Sequence, residues 1–404
     1  MSSIEEHHGV VVLGGGICGL ATALALQRKG IKSLVLEKSN KLRSSGAAIG
    51  IWANGWHALD QLMVGSELRP KAIPLSEIRE VWLESNRTVV TSCREVELRC
   101  LRRSDLIETM ASKLPSESIR FGCKVVAVKL DHTTSFPILF LEDGIIIKAK
   151  VLIGCDGSDS IIAKSLQLKE PKVFPMAAVR GFTTYQSPHS FGTYFFRIRY
   201  KSITFGRIPI NDKLVHWFVG LANPAGDHLS RKDLNFIKKI AFDSVRELPS
   251  EISEIVKHCD LDSLSIHCVW YRHPWHLFTG KLSNGTMTVA GDAMHVMGPF
   301  LGQGGSAGLE DAIVLARCLT QAMPSNLENS SSSHSNLHKR IDAAYRNYIK
   351  ERRLRVIRLS TQSYLTGLIM TTKSWIVRVI CVALLMVLFG GNTISHTRFN
   401  CGLL

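Results

Sequence analysis

The sequence predicts an α/β fold in three parts. Residues 9–39 follow the order strand, tight turn, helix, strand, with short continuous apolar runs typical of buried parallel strands. Residues 168–279 are rich in aromatics and alternate in polarity, which predicts an inserted antiparallel sheet with one covered face. Residues 338–404 have a helical pattern and form the third part.

Composition limits the class of protein. The 404 residues are enough for two or three domains, and 45% hydrophobic with 21% charged residues is ordinary for a globular protein. The ten cysteines include no C-x-x-C pair, so neither a zinc site nor a disulfide scaffold is expected, and a reducing, cytoplasmic location is favoured. The start, "MSSIEEHHG", is too short and too acidic for a signal peptide.

The net charge of +15 admits nucleic acid, an anionic membrane surface or acidic small molecules as partners. The sequence has no module of interleaved basic and aromatic residues, so nucleic acid is not expected. Much of the positive charge lies in residues 338–359, which we interpret as a solvated helix face. Residues 324–338, "PSNLENSSSSHSNLH", predict a polar loop or linker.

The first turn, "GGGICG", has the G-x-G-x-x-G frame between a strand and a helix. Gly14 makes the turn, Gly16 lets a pyrophosphate approach the backbone, and Gly19 lets the helix pack closely on the strand. The helix N-terminus adds free N–H groups for phosphates. Glu37 closes the second strand, where a carboxylate can bind both hydroxyls of an adenosine ribose and disfavours a 2′-phosphate. This predicts a Rossmann-like domain.

Two later turns follow buried strands. Asp156 and Gly157 come after "AKVLIG", the last of several short β-rich runs between residues 119 and 153. Gly291 and Asp292 come after the strand at 286–290, where a carboxylate can hold a polyol hydroxyl. Alone, each could be an ordinary turn.

A fourth glycine-rich stretch, "GPFLGQGG", places Gly302, Gln303, Gly304 and Gly305 at the start of a helix predicted to reach Leu319. Exposed N–H groups there favour an anion or an electron-rich ring edge. Together with the earlier turns, this order predicts one extended dinucleotide.

The apolar run Val379–Phe389 has eleven residues, whereas a membrane span needs roughly 20. We interpret it as a helix buried against the first domain. The alternative is a helix at an anionic membrane surface beside the basic segment, which would suit a lipophilic substrate.

These motifs, in this order, resemble those of the FAD-dependent aromatic hydroxylases, the single-component class A flavoprotein monooxygenases. The stretches "GAAIGIWANGWHALDQLMVGSELR" and "RFNCGLL" resemble the plant group related to salicylate hydroxylase and zeaxanthin epoxidase. The resemblance implies a Rossmann-like FAD-binding domain with an inserted substrate sheet. We place the FAD-binding domain at 1–75, 100–167 and 281–323, the substrate domain at 76–99 and 168–280, and the C-terminal helical region at 338–404.

The resemblance also implies roles for individual residues. The pyrophosphate would lie on Gly14, Gly16 and Gly19, the ribose on Glu37, and the ribityl chain on Asp292 beside Gly291. Arg103 in "RRSDL" would contact FAD, Asp156 with Gly157 would serve both FAD and NAD(P)H, and Pro299 with Gly302, Gln303 and Gly304 would lie beside the isoalloxazine. Arg43 is either a flavin neighbour or a surface arginine, and His295 is either part of the flavin environment or structural. No catalytic base is identified and no metal is expected.

The implied reaction uses NAD(P)H to reduce FAD and O2 to form a C4a-hydroperoxide, whose distal oxygen hydroxylates or epoxidises a small aromatic or isoprenoid substrate. Three alternatives stay open: a flavin oxidoreductase that does not oxygenate, a flavin halogenase, and a membrane-associated FAD-binding protein without turnover. The halogenase signature W-x-W-x-I-P is absent, since "GRIPI" lacks the tryptophans.

Overall fold

The computed structural model describes residues 4–42, 48–222, 233–323, 334–390 and 394–404. The strands in chain order are β1 (Glu5–Leu13), β2 (Leu34–Leu36), β3 (Ala48–Trp52), β4 (Glu77–Trp82), β5 (Arg87–Ser92), β6 (Leu98–Arg102), β7 (Ile119–Arg120), β8 (Val125–Leu130), β9 (Pro137–Leu141), β10 (Ile146–Gly154), β11 (Lys172–Thr184), β12 (Tyr194–Tyr200), β13 (Ile203–Pro209), β14 (Leu214–Ala222), β15 (Ser265–Tyr271), β16 (Ser283–Asn284) and β17 (Met287–Val289). The helices are α1 (Ile17–Arg28), α2 (Ala53–Gln61), α3 (Gly65–Leu68), α4 (Arg103–Ala111), α5 (Ile161–Ser165), α6 (Leu234–Ser244), α7 (Ser250–Lys257), α8 (Pro274–Thr279), α9 (Asp292–His295), α10 (Gly304–Ala322), α11 (His334–Thr371) and α12 (Trp375–Phe389).

The first sheet has eight strands, with the main order β16-β17-β10-β1-β2-β7. Strands β17, β10, β1, β2 and β7 run parallel to one another, while β8 and β9 form an antiparallel extension on β10. Val11 and Val12 of β1 are fully buried because helices cover both faces of the sheet. The carboxyl ends of β1, β2, β10 and β17 therefore meet along one edge.

The second sheet has seven strands in the order β15-β11-β14-β13-β12-β4-β5. All its pairings are antiparallel except β12 with β4. Helices α6 and α7 pack on one face, where Val179, Trp217 and Val219 are fully buried. The predicted α/β class with an antiparallel sheet and C-terminal helices is confirmed, and the domain boundaries stay a prediction.

A two-stranded sheet of β3 and β6 lies against the other face of the seven-stranded sheet. Trp52 of β3 packs near Phe195 and Ile208, while Cys100 of β6 packs near Phe182. Strand β3 leads directly into α2 and strand β6 into α4, so this small sheet joins the two large sheets.

The interpretation of the basic segment as a solvated helix face is only partly right, as helix α11 shows. Lys339, Arg346 and Lys350 are exposed as expected, but Arg352 is fully buried against α10. The polar linker is also shorter than predicted, since α11 already begins at His334. The rest of the predicted linker lies outside the described residues.

Helix α12 contradicts the prediction of a buried apolar helix. It packs on α11, and among its residues only Cys381 is buried. Trp375 is 72% exposed and Val387 is 82% exposed, and apolar residues are exposed all round the helix. In the part of the chain that is described, no helix is both long and apolar enough to cross a membrane.

Candidate functional site

A groove of about 500 Å³ opens where the parallel strands end. It is lined by residues from the turn after β1, the end of β2, the start of α4 and the turn after β10. Its polar lining includes Gly14, Gly16, Glu37, Arg103 and Asp156. The structure thus brings together residues that are more than a hundred positions apart in the sequence.

The glycines of the first turn differ in what surrounds them. Gly14 has φ +108°, and a Cβ there would lie 2.4 Å from the Cys155 carbonyl oxygen. A Cβ on Gly19 would lie 1.9 Å from the Gly14 carbonyl oxygen. At Gly16 the nearest atom is an Arg103 guanidinium nitrogen 3.9 Å away, so this position is open to the groove. Gly14 and Gly19 therefore serve the local fold, while Gly16 leaves space for a ligand.

Glu37 is almost fully buried, and its carboxylate oxygen Oε2 faces the first turn. The Gly15 N–H donates to Oε2 at 2.7 Å, and the Ser39 N–H donates to Oε1 at 2.9 Å. These two bonds fix the carboxylate and leave further lone pairs on each oxygen. The position suits an acceptor for ligand hydroxyls.

Asp156 follows β10, and its carboxylate is only half satisfied. Oδ2 accepts from the Ile161 N–H at 2.7 Å, whereas Oδ1 is buried with no hydrogen-bond partner among the described residues. Burial raises the pKa of this carboxyl, although hydrogen bonds from Ser160 and nearby backbone oppose the rise. A buried acceptor without a donor is costly, so this oxygen fits a donor from a bound group.

The second end of the site is built by the turn after β17. Gly291 has φ +61°, and a Cβ there would lie 2.8 Å from the Cys18 side chain. Asp292 begins α9 with an accessible side chain in a protein recess. Burial by its surroundings raises the pKa of Asp292, while the charges of His295 and Arg103 lower it. Arg103 therefore influences Asp292 and also lies beside Gly16.

The turn before α10 approaches Asp292. A Cβ on Gly304 would lie 3.9 Å from Asp292 Oδ1, and Gly302 has φ +60° beside Trp52. Helix α10 begins without a side-chain cap, so its first N–H groups remain available to a ligand. Gln303 is different: its side chain points inward and accepts from Asn54 Nδ2 at 2.9 Å. Pro299 is exposed in the preceding turn.

His295 does not line the groove. It is fully buried, and its Nε2 lies 2.7 Å from Asp311 Oδ2. Asp311 also accepts from the Gly291 N–H at 2.8 Å and from Arg352 Nε at 2.7 Å. The structure therefore places His295 inside the protein, in contact with Asp311. Arg43 lies outside the described residues.

The network around Asp311 was missed by the sequence analysis. Arg352 Nη1 lies 2.7 Å from Glu310 Oε2, and all three charged side chains are fully buried. Burial alone would raise the pKa of Asp311, but the charges of His295 and Arg352 outweigh it and hold the pKa below its usual value. The signal in the sequence was the adjacent acidic pair Glu310–Asp311 inside an apolar helix, which requires a buried cation.

The geometry of these turns suits a long ligand with phosphates and hydroxyls, and the comparison with known proteins shows the family of the chain. Residues 7–333 match the family described as FAD binding domain. The chain belongs to this family. Monooxygenase 1 of Arabidopsis thaliana is 45% identical over 98% of this chain and 99% of that protein. Monooxygenase 2 of Arabidopsis thaliana is 34% identical over 98% of each.

The predicted family is confirmed: the protein is a class A FAD-dependent monooxygenase, an oxidoreductase. The fold is similar to that of Klebsiella pneumoniae HpxO, solved in complex with FAD and uric acid, with a TM-score of 0.78. That likeness covers 97% of this chain and 96% of HpxO at 20% identity. The resident cofactor of this family is FAD, and the open backbone at Gly16 and the unpaired Asp156 oxygen fit such a ligand.

Proposed function

We propose that the protein uses NAD(P)H and O2 to hydroxylate or epoxidise a small aromatic or isoprenoid substrate. The observation that carries the proposal is the groove at the strand ends, lined by the first glycine turn and Asp156, in a chain of this family. Asp292, whose pKa is influenced by Arg103 of that groove, lies beside the start of α10. When bound, FAD supplies the redox chemistry with NAD(P)H and O2. The protein supplies orientation and excludes water.

Each end of the site would hold a different part of the cofactor. Gly14 and Gly19 would shape the turn on which the pyrophosphate lies, and Gly16 would leave room for it, with Arg103 beside it. Glu37 would accept from the adenosine ribose. Asp156 next to Gly157, which has φ +84° and open space around it, would accept from a bound donor.

The flavin end is formed by the later turns. Asp292 beside Gly291 would accept from the ribityl hydroxyls. The backbone of Gly302, Gln303 and Gly304 would face the isoalloxazine, with Pro299 nearby. Gln303 would contribute through its backbone only, since its side chain is held by Asn54.

The test is a set of three measurements on the FAD-loaded protein. NADH and NADPH are compared as reductants, oxygen uptake is followed with a panel of phenolics and isoprenoids, and the product is analysed after reaction in 18O2. We expect at least one compound to stimulate NAD(P)H oxidation and to gain one labelled oxygen. Stimulated oxidation without label in any product would instead indicate an oxidoreductase that does not oxygenate. Failure of every compound to stimulate oxidation would favour a FAD-binding protein without turnover.

We further propose that α12 contacts an anionic membrane surface. Ten of its apolar residues are at least 37% exposed: Trp375, Ile376, Val377, Val379, Ile380, Val382, Leu384, Met386, Val387 and Leu388. A partner protein would need one apolar stripe, whereas an apolar surface on all sides suits lipid. From residue 356 to the end the sequence has four basic residues, all exposed, and no acidic residues. Each basic residue near such a surface contributes about 1 kcal/mol.

Flotation with vesicles of phosphatidylserine and phosphatidylcholine tests this contact. We expect the protein to float at low salt and less at high salt, and the double variant Val387→Ser with Leu388→Ser to remain at the bottom. Flotation that is absent at low salt contradicts the proposal. A dimer that the same double variant disrupts would show that a second copy covers α12 instead.

A further inference from the structure

The face of the seven-stranded sheet opposite α6 and α7 carries an unusual group of side chains. Successive residues of a strand point to opposite faces, so Val179, which packs against α6 and α7, places Arg180 on the other face. In the register of the sheet, Arg180 is opposite Phe218 of β14 and Ser265 of β15. Two residues along, Phe182 is opposite His216.

This face borders the cofactor side of the molecule at two places. Phe182 packs against Ala48 and Cys100 of the two-stranded β3–β6 sheet. At the other end, Phe174 stacks on Tyr271 with ring centroids 4.2 Å apart and meets Phe300 at 5.5 Å. Phe300 directly follows Pro299 in the turn proposed to face the flavin. Arg180 lies between these two contacts along β11.

The other arginines of this sheet have partners. Arg197 and Arg199 both pair with Glu80. Arg207 stacks on Phe191 at 4.2 Å and donates to the carbonyl of the same residue. Arg180 has neither an ion pair nor a hydrogen bond with any residue in the described parts of the chain.

Among the residues that the structure describes, the surroundings of Arg180 add no counter-charge. Burial lowers the pKa of its guanidinium, although arginine stays charged. His216 donates its Nδ1 hydrogen to the Gly181 carbonyl at 3.1 Å, and burial lowers its pKa to about 3 with Arg180 adding to the effect. His216 is therefore neutral at physiological pH. A half-buried cation without an anion is unfavourable, and an anion from outside the chain would remove that cost.

We propose that Arg180 recognises a carboxylate on the substrate, held on the sheet face between Phe182 and Phe300. The proposal rests on the proposed monooxygenase function, since it narrows the aromatic or isoprenoid substrate to an acid. The guanidinium presents two parallel donors to a carboxylate. His216, with Nδ1 already donating, offers Nε2 as an acceptor for a hydroxyl of the same molecule. Arg180 is thus a specificity-determining residue.

The test measures equilibrium binding to the FAD-loaded protein and does not depend on turnover. Benzoate, cinnamate and 3-methylbut-2-enoate are each titrated beside their amides, and binding is followed by the change in flavin absorption. We expect at least one acid to bind roughly tenfold or more tightly than its amide in the unaltered protein. Arg180→Met should weaken the binding of that acid roughly tenfold to a hundredfold and leave the binding of its amide unchanged. Arg180→Lys should weaken the binding of the acid less.

A matched control is Arg246→Met. Arg246 follows α6, beyond the opposite face of the sheet, and is exposed beside Asp243, so acid binding should not change. The proposal is overturned if no acid binds, if acids and amides bind equally, or if Arg180→Met keeps the preference for the acid. FAD content and melting temperature check that each variant is folded. Acid binding that depends on Arg180 without any oxygen uptake would refute the monooxygenase proposal and leave the carboxylate site standing.

Discussion

Helices α11 and α12 are neighbours, yet the charged one is the buried one. The stripe Ile341, Tyr345, Tyr348, Arg352 and Val356 of α11 is fully buried against the first domain. Helix α12 has one charged residue, Arg378, and exposes apolar side chains on every side. Composition alone suggests the opposite arrangement.

The difference teaches that spacing, rather than residue type, decides which side of a helix is buried. The buried residues of α11 recur every three or four positions, and Arg352 occupies one position of that stripe. The burial of its charge is possible there because Arg352 forms ion pairs with Glu310 and Asp311 of α10, which are also buried. Helix α12 has no polar side, and it packs on α11 through the face that carries Cys381.

The largest expected effect concerns Arg352. Arg352→Met removes the buried guanidinium that Glu310 and Asp311 share, and leaves Glu310 with Arg355 and Asp311 with His295. Breaking a buried pair in this way costs about 3–5 kcal/mol of unfolding free energy. Urea denaturation measures the change. Arg346→Met is the control on the same helix, since Arg346 is exposed beside Asp342 and its loss should cost under about 1 kcal/mol. Equal effects of the two variants would show that the buried network does not stabilise the fold.

A matched pair of leucines compares the two helices directly. Leu359 of α11 is 1% exposed and Leu388 of α12 is 51% exposed. Leu359→Ala should lower the unfolding free energy by about 2–5 kcal/mol, whereas Leu388→Ala should change it by less than about 0.5 kcal/mol. Both are measured in urea without lipid. A large loss with Leu388→Ala would mean that α12 is packed against protein in solution.

The smallest expected effect concerns the hydrogen bond of Tyr348 in α11. The Tyr348 hydroxyl donates to the Val289 carbonyl at 3.2 Å, next to the Gly291 turn. Tyr348→Phe should cost about 1 kcal/mol, the usual contribution of one hydrogen bond. Tyr364→Phe on the same helix is the control, since its hydroxyl has no hydrogen bond within the described residues and its loss should be nearly neutral. If the two variants unfold alike, the Tyr348 bond contributes nothing measurable.

The sequence predicted the strand-end turns well because their chemistry is local. Gly14 and Gly291 have positive φ angles, and glycine is the residue that adopts them without strain. Glu37 was placed correctly at the end of β2 because the strand, turn and helix before it are contiguous in the chain.

The residues that were missed depend on partners far away in the sequence. Arg352 pairs with Asp311, which is 41 positions away in the sequence. Whether each of these charges is buried or exposed can be known only when the positions of both helices are known. The importance of Arg180 likewise depends on which face of the second sheet it occupies and on the fact that no acidic residue in the described parts of the chain pairs with it. The exposure of α12 could not be told from burial, since an apolar helix of that length suits either setting.

The central claim is that FAD lies along the strand-end groove, and Gly16 tests it most directly. A Cβ at Gly16 would meet only Arg103, 3.9 Å away, so Gly16→Val should fold normally while filling the space for the pyrophosphate. The measurement is the molar ratio of FAD to protein after purification, with the melting temperature of the FAD-free forms as the check on folding. We predict close to one non-covalently bound FAD per unaltered chain and almost none in Gly16→Val, with similar melting temperatures. Full FAD occupancy in Gly16→Val would contradict the account.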